Sequence, residues 1–496
     1  MVNVSPVDIV HVISAMEVSR PEILRATKAF RALQGCGQVL REQGMPSTKC
    51  YYDLSYEVPE IDEFWSHSWH GEARRKILLL LLLKNGPAAI LMGTLGALAM
   101  MILQVTGIVP GLYRKHPLLG DGSSYEFAPY SLLVGIGLCT LTILLWRPQQ
   151  AVFLDQICIH QHDGSLKMEG ILNIGAIMKK SRSLLVLWDS TYVERLWCIF
   201  EMAAFLKGHE SEEVDIVVRP TFLAPWTCYI FASWCVFGAF DLFVPYVSMI
   251  PVMIKFIFIV PAGCFLTGMF CRYYRAIQRM QDQLHSFRTE EAKCLCCSLG
   301  HDDDQARLCD RRVVLDCIRT WFGSVASFEA TVQSIVFAAL SRRLGALPFT
   351  YRWLILAAAP VVWGHFDLTA GRLRSGDYYW ASIVGIIGLS WWLAAGPTLF
   401  ILPAMITGGL LRTGSLLSWR DICITVCGSS LVVMVAVAVV GYQYVCVQLF
   451  PSPLAGALCF AVTMLIFSLC VWYPRSVQPP GSDEETTDSE DSTFET

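Results

Sequence analysis

The chain has 496 residues, of which 54% are hydrophobic and 16% charged, with a formal net charge of -4. Soluble chains run near a quarter charged, so a length that would fill about three soluble domains carries too little polar surface to coat them, and much of it is expected to face lipid. The near-neutral balance, with no concentrated basic face, excludes nucleic acid as the main partner, and 19 cysteines in so long a chain exclude a secreted disulfide scaffold.

From the start, MVNVSPVDIVHVISAMEVSR lacks a basic opening and a small-residue cleavage site, which reads as no cleaved signal peptide. Residues 20–43 begin with Pro21 and repeat apolar positions at Ile23, Ala26, Phe30 and Leu33, the spacing of an amphipathic helix. Runs near 87–109 and 130–146 then approach the roughly 20 apolar residues that a membrane span requires. Between 151 and 219 the pattern changes. AVFLD, LLVLW and VDIVVR are short continuous apolar runs closed by Asp155, Asp189 and Pro220, as in strands buried on both faces. Ile171, Ile174 and Met178 keep helical spacing between the first two, and ERLWCIFEMAAFLKG forms a helix between the next two. Strand, helix, strand, helix, strand predicts an α/β doubly wound parallel sheet, whose ligands bind beyond the strand ends at Asp155 and Asp189.

Six further runs, near 223–245, 250–271, 350–368, 380–406, 421–446 and 453–473, bring the predicted spans to eight, and an even number puts both termini on one side. Arg74, Arg75, Lys76, Lys84, Arg147, Arg272, Arg275, Arg412 and Arg420 flank the spans on that side, against Arg114, Lys115, Arg372 and Arg374 opposite. By the positive-inside rule both ends are cytosolic. The expected organisation is a helical region over 1–60, an α/β domain over 61–86 plus 147–222 interrupted by a membrane hairpin at 87–146, a second hairpin at 223–271, a cysteine-containing loop at 272–349, four further spans, and an acidic disordered tail after 474. Gly93 and Gly96 are read as helix-packing positions.

Two clusters lie outside the α/β segment. Asp241 and Lys255 fall at matching depth on adjacent spans and are expected to pair, either as a hairpin lock or, with His365 and Asp367, as an ion route. Cys294, Cys296, Cys297, His301 and Cys309 offer thiolates and an imidazole within a short stretch. Zinc takes four such ligands, although the spacing fits no standard finger and acylated or merely structural cysteines are the alternatives.

The stretch SRSLLVLWDSTYVERLWCIFEMAAF resembles the third strand and following helix of the TIR (Toll and interleukin receptor) family, in which a tyrosine precedes a helix opened by WCxxE. AVFLDQICIHQHDG is similar to that family's second strand and loop, and EFWSHSWHGEARRK to its first strand and basic helix, in the family's order. The segments SHSWHG, LDQICIHQ and RLWC also resemble uncharacterised multi-pass membrane proteins of protists, which implies no activity. The TIR resemblance implies that Glu201 serves to cleave nicotinamide from NAD, the implied substrate, and that the domain self-associates. Chemically, one carboxylate against the ribose stabilises the oxocarbenium-like centre left by the departing cation. Trp197, one turn before Glu201, walls that pocket, and Ser66 and His67 face it with Asp155 and Asp189, unless Trp197 is core and Glu201 a solvated carboxylate. Two departures stand against the family pattern: the inserted membrane hairpin, and a fourth strand that runs through Pro220 straight into a span. The reading that follows is membrane-associated signalling with NAD cleavage, and its alternatives are a channel or transporter with a cytosolic sensor and a non-catalytic platform.

Overall fold

The computed structural model describes residues 6–42, 49–115, 125–210, 215–243, 249–294, 297, 309–344, 350–402 and 419–472. The membrane-hairpin boundary expected near 87 does not exist as a break. Helix α3, Ala73–Val105, runs unbroken through Pro87, and at about 1.5 Å per residue its length of about 50 Å exceeds a 30 Å hydrocarbon layer. The same rod therefore serves the sheet at one end and the apolar bundle at the other.

Six strands form one sheet: β1 Arg25–Lys28, β2 Tyr56–Glu57, β3 Glu63–His67, β6 Ala151–Phe153, β7 Leu184–Trp188 and β8 Ile216–Pro220, in the order β2-β1-β6-β3-β7-β8. A separate ribbon pairs β4 Tyr113–Lys115 with β5 Tyr125–Phe127. The two stretches separated by the apolar hairpin meet directly. β3 pairs in parallel with β6, Phe64 opposite Phe153, and their rings stack with centroids 4.7 Å apart. β3 also pairs in parallel with β7, and β7 with β8. Every residue of β3 and β7 is buried, which requires cover on both faces.

The sheet is mixed, not wholly parallel. The helix expected over 20–43 gives way to a short turn at Pro21–Ile23, then β1, then α2 at Ala29–Arg41. β1 runs antiparallel to β6, Thr27 opposite Val152, and to β2. The amphipathic spacing is real, but β6 presents an unpaired edge, and satisfying its backbone groups outweighs a local helical preference. Consequently residues 1–60 are not a separate helical region: α1, Pro6–Ala15, packs on the helix Asp310–Phe322, and both belong to the sheet's layer. Trp321 of that helix stacks on Phe200 at 5.5 Å and donates its indole N–H to Ser14 O.

Each of the eight predicted spans falls on a helix. Five of the described helices are long and apolar enough to cross a membrane: Ala73–Val105, Tyr351–Arg374, Tyr378–Leu402, Val426–Leu449 and Pro453–Trp472. α4, Tyr130–Leu145, and the described part of α9, Leu223–Phe243, are shorter apolar helices. Asp241 falls on α9 and Lys255 on α10, Met249–His285; both side chains lie outside the described residues, as does the tail after 472. The span with the weakest hydropathy, Tyr351–Arg374, is the bundle's centre, 78% buried against 28% for Ala73–Val105. Trp363 fills its contact with α3 and α4, where a Cβ on Gly93 would come within 2.8 Å of Gly135 O, and one on Gly96 would strike Leu138.

Asp367 is fully buried in this centre, where it accepts Gln104 Nε2 at 2.8 Å and the backbone N–H groups of Ser131 and Leu132 at 2.7 and 3.0 Å. It caps α4 from another helix, satisfying donors that α4 cannot satisfy itself. Its described contacts are those of a structural cap. Asp367→Leu should lower stability in detergent by about 2–3 kcal/mol, read as a fall in the thermal midpoint, whereas Asp367→Asn should lose less than half of that. Equal losses for both would refute the capping role.

Candidate active site

Four parallel strands, ordered by chain position as second, first, third and fourth, place the topological switch between β3 and β7. Their C-terminal ends carry Ser66, His67 and Ser68 on one side and Asp189 on the other, with Asp155 beyond β6. Helix α8, Leu196–Gly208, follows β7 and brings Glu201 over β3. Ser66 Oγ donates to Glu201 Oε2 at 2.5 Å, joining residues 135 apart in the chain. The Tyr192 hydroxyl lies 2.6 Å from Ser66 Oγ and also reaches the Cys198 carbonyl at 3.5 Å. Tyr192, Ser66 and Glu201 thus form one continuous hydrogen-bonded chain. The hydrogen bond that Ser66 makes to Glu201 engages Oε2 and not Oε1.

Burial raises the Glu201 carboxyl to about 8, with the Asp155 charge adding to it, while the Ser66 hydrogen bond and Arg195 act against the rise. At neutral pH the group mostly holds its proton. The residue as a whole is only half-buried, so the carboxyl is enclosed yet reachable. Tyr192 is buried and pushed well above its ordinary range, chiefly by desolvation, and stays a donor. His67 is also buried; desolvation lowers its pKa against the pull of Asp155, so it is neutral.

A second cluster adjoins the first. Lys76, on the first turn of α3, is 1% exposed, donates to Ser68 O and lies 3.9 Å from Asp189 Oδ2. Asp189 Oδ1 accepts the backbone N–H and hydroxyl of Thr191 at 2.8 and 2.5 Å, and Thr191 Oγ1 is 2.7 Å from Ser68 Oγ. A Cβ on Gly71 would sit 1.8 Å from Asp189 Oδ2, so that residue must be glycine for the loop to lie so close. Trp69 Nε1 donates to Asp155 Oδ2 at 2.8 Å, which orients the third carboxylate.

Of the residues predicted for the site, Ser66 and Glu201 touch, Asp155 and His67 interact electrostatically, and Asp189 stands beside Lys76. Trp197 is the exception: its ring packs edge-on against Phe200 at 5.6 Å, a core contact. Sequence reasoning did not single out Tyr192, Thr191, Ser68 and Gly71 as site residues, and it used Lys76 as a marker of sidedness and as the end of the basic helix, not as a site residue. The signal for Lys76 was a lysine one turn into a helix following a strand, with an aspartate at the next strand end. Of the cysteine cluster, Cys294, Cys297 and Cys309 converge, their sulfurs all within 4.8 Å of one another; Cys296 and His301 lie outside the described residues. Comparison with known proteins finds no matching family model, curated protein or solved structure.

Proposed function

We propose that the chain is a multi-pass membrane protein, eight helices with both termini cytosolic, whose sheet forms a TIR-like domain that cleaves NAD and signals at the membrane by self-association. The observation that carries this reading is the Ser66–Glu201 hydrogen bond at the switch between β3 and β7. It joins Ser66 near the end of the first parallel strand to the glutamate of the WCxxE helix, whose pocket Ser66 is expected to face. In the reaction the bond between the ribose C1′ and the nicotinamide nitrogen breaks, and the electron pair leaves with nicotinamide and cancels its charge. Water then adds to C1′ and releases a proton, giving ADP-ribose. Glu201, as carboxylate, faces the positive charge that develops at C1′, and Ser66 holds its Oε2 so that Oε1 points to the ribose. Arg195, at the start of α8, acts electrostatically on Glu201 and is the cation assigned to the pyrophosphate.

Nicotinamide release from NAD, measured on membranes carrying the wild type and Glu201→Gln, tests the reading. The variant should fall by about a hundredfold or more, the usual effect of losing one group that stabilises transition-state charge. Equal release from both would leave a non-catalytic platform.

A further inference from the structure

Cys294 and Cys297 follow the long helix α10, and Cys309 precedes the helix Asp310–Phe322. Cys294 and Cys309 are buried, and the Cys297 and Cys309 sulfurs are 3.3 Å apart, with all three sulfurs inside 4.8 Å. A tetrahedral zinc with Zn–S near 2.3 Å spaces its thiolates about 3.8 Å apart, within that range. A disulfide would need two sulfurs at about 2.05 Å and would leave the third thiol buried beside it.

The position of the cluster gives it a role. Lys293, next to Cys294, donates its N–H to Glu194 O at 2.6 Å, accepts from Leu196 N, and closes an ion pair with Glu194 at 2.6 Å. Leu196 begins α8, whose Phe200 stacks on Trp321 of the helix that Cys309 precedes. We propose that Cys294, Cys297 and Cys309 bind one zinc ion, which clasps the segment after α10 to the helix Asp310–Phe322 and so braces the first turns of α8. The clasp stands on the thiol geometry alone and does not depend on what Glu201 does.

Full-length protein purified in detergent under reducing conditions should contain about one zinc per chain by elemental mass spectrometry. Cys309→Ser and Cys297→Ser should each lose most of it, while Cys317→Ser, altered at a buried cysteine of the same helix, should keep it. Chelator treatment of the wild type should lower the thermal midpoint by several degrees, reversed by zinc and not by magnesium. Wild-type protein with less than a tenth of a zinc per chain, or with a Cys297–Cys309 disulfide in peptide mapping, would overturn the clasp, as would a Cys317→Ser variant that folds and loses its zinc.

Discussion

Under the proposed function, the rate of NAD cleavage should rise with pH through about 8, and that limb should vanish when Glu201 is replaced. The cause is the enclosure of Glu201, which lifts its carboxyl from an ordinary 4.5 to about 8, so the reactive carboxylate is a minority near neutral pH and the majority above. Substrate binding changes the balance. The nicotinamide cation, brought against Oε1, favours the charged carboxylate, so the limb in kcat should lie at lower pH than the limb in kcat/KM. A neutral analogue of NAD should not shift it. A rate that is flat from pH 6 to 9, or that falls through 8 as for a general acid, would remove Glu201 from the role assigned to it. Stability offers an independent reading of the same proton. A carboxyl whose folded pKa lies above its unfolded value contributes stability that is fully present below about 4.5 and is lost as pH rises through about 8. Wild type should therefore lose more stability than Glu201→Gln between pH 6 and 9, measured by thermal midpoints in the same detergent.

Lys76→Met should be the most destabilising single substitution near the site, costing about 3–5 kcal/mol. The lysine is 1% exposed and supplies the charge facing Asp189, which is itself 12% exposed and whose Oδ2 is buried without a hydrogen-bond donor. Removing the ammonium strands that carboxylate in a low-dielectric pocket, and neither partner can turn away. Asp189 is fastened by Thr191, Lys76 by the Ser68 carbonyl, and the Gly71 backbone closes the space above them. Adding Asp189→Asn to Lys76→Met should restore a large part of the loss, because a neutral amide is far cheaper to bury than an unpaired charge. A double variant as unstable as Lys76→Met would show that packing of the lysine stem, not its charge, is what the loop requires.

That pair also joins the sheet to the bundle. Lys76 and Lys84 both stand on α3, and Lys84 reaches Glu63 of β3 at 2.5 Å and Gln150 at 2.7 Å, beside the Trp65 indole that donates to the same glutamate. Two of the basic residues read as markers of membrane sidedness are thus engaged in fastening α3 to β3 and its neighbour. The charge that marked them in the sequence and the contacts they make follow from one placement, on the helix turns that lie beside the sheet.

The apolar runs and the strand alternation were legible from composition and spacing, because both depend on local transfer free energy and on period. All eight apolar runs predicted as spans fall on helices, and β7 coincides with LLVLW, for that reason. The helix of weakest hydropathy, Tyr351–Arg374, is nonetheless the bundle's centre, since hydropathy measures affinity for lipid and this helix faces other helices, where Asp367 finds donors on α3 and α4. Spacing likewise marked residues 20–43 as one helix, and nothing local announced the edge of β6 that draws Arg25–Lys28 into the sheet.

The sequence by itself determined a bundle of apolar helices of membrane-spanning length joined to an α/β layer, and which carboxylates end its strands, because those properties belong to neighbouring residues. Only the tertiary structure decided that β3 lies between β6 and β7, that Ser66 meets Glu201, and that Lys76, not Trp197, completes the surroundings. Pairings between residues more than a hundred positions apart are chosen by which buried donors and charges find partners in three dimensions, and that choice leaves no periodic trace along the chain.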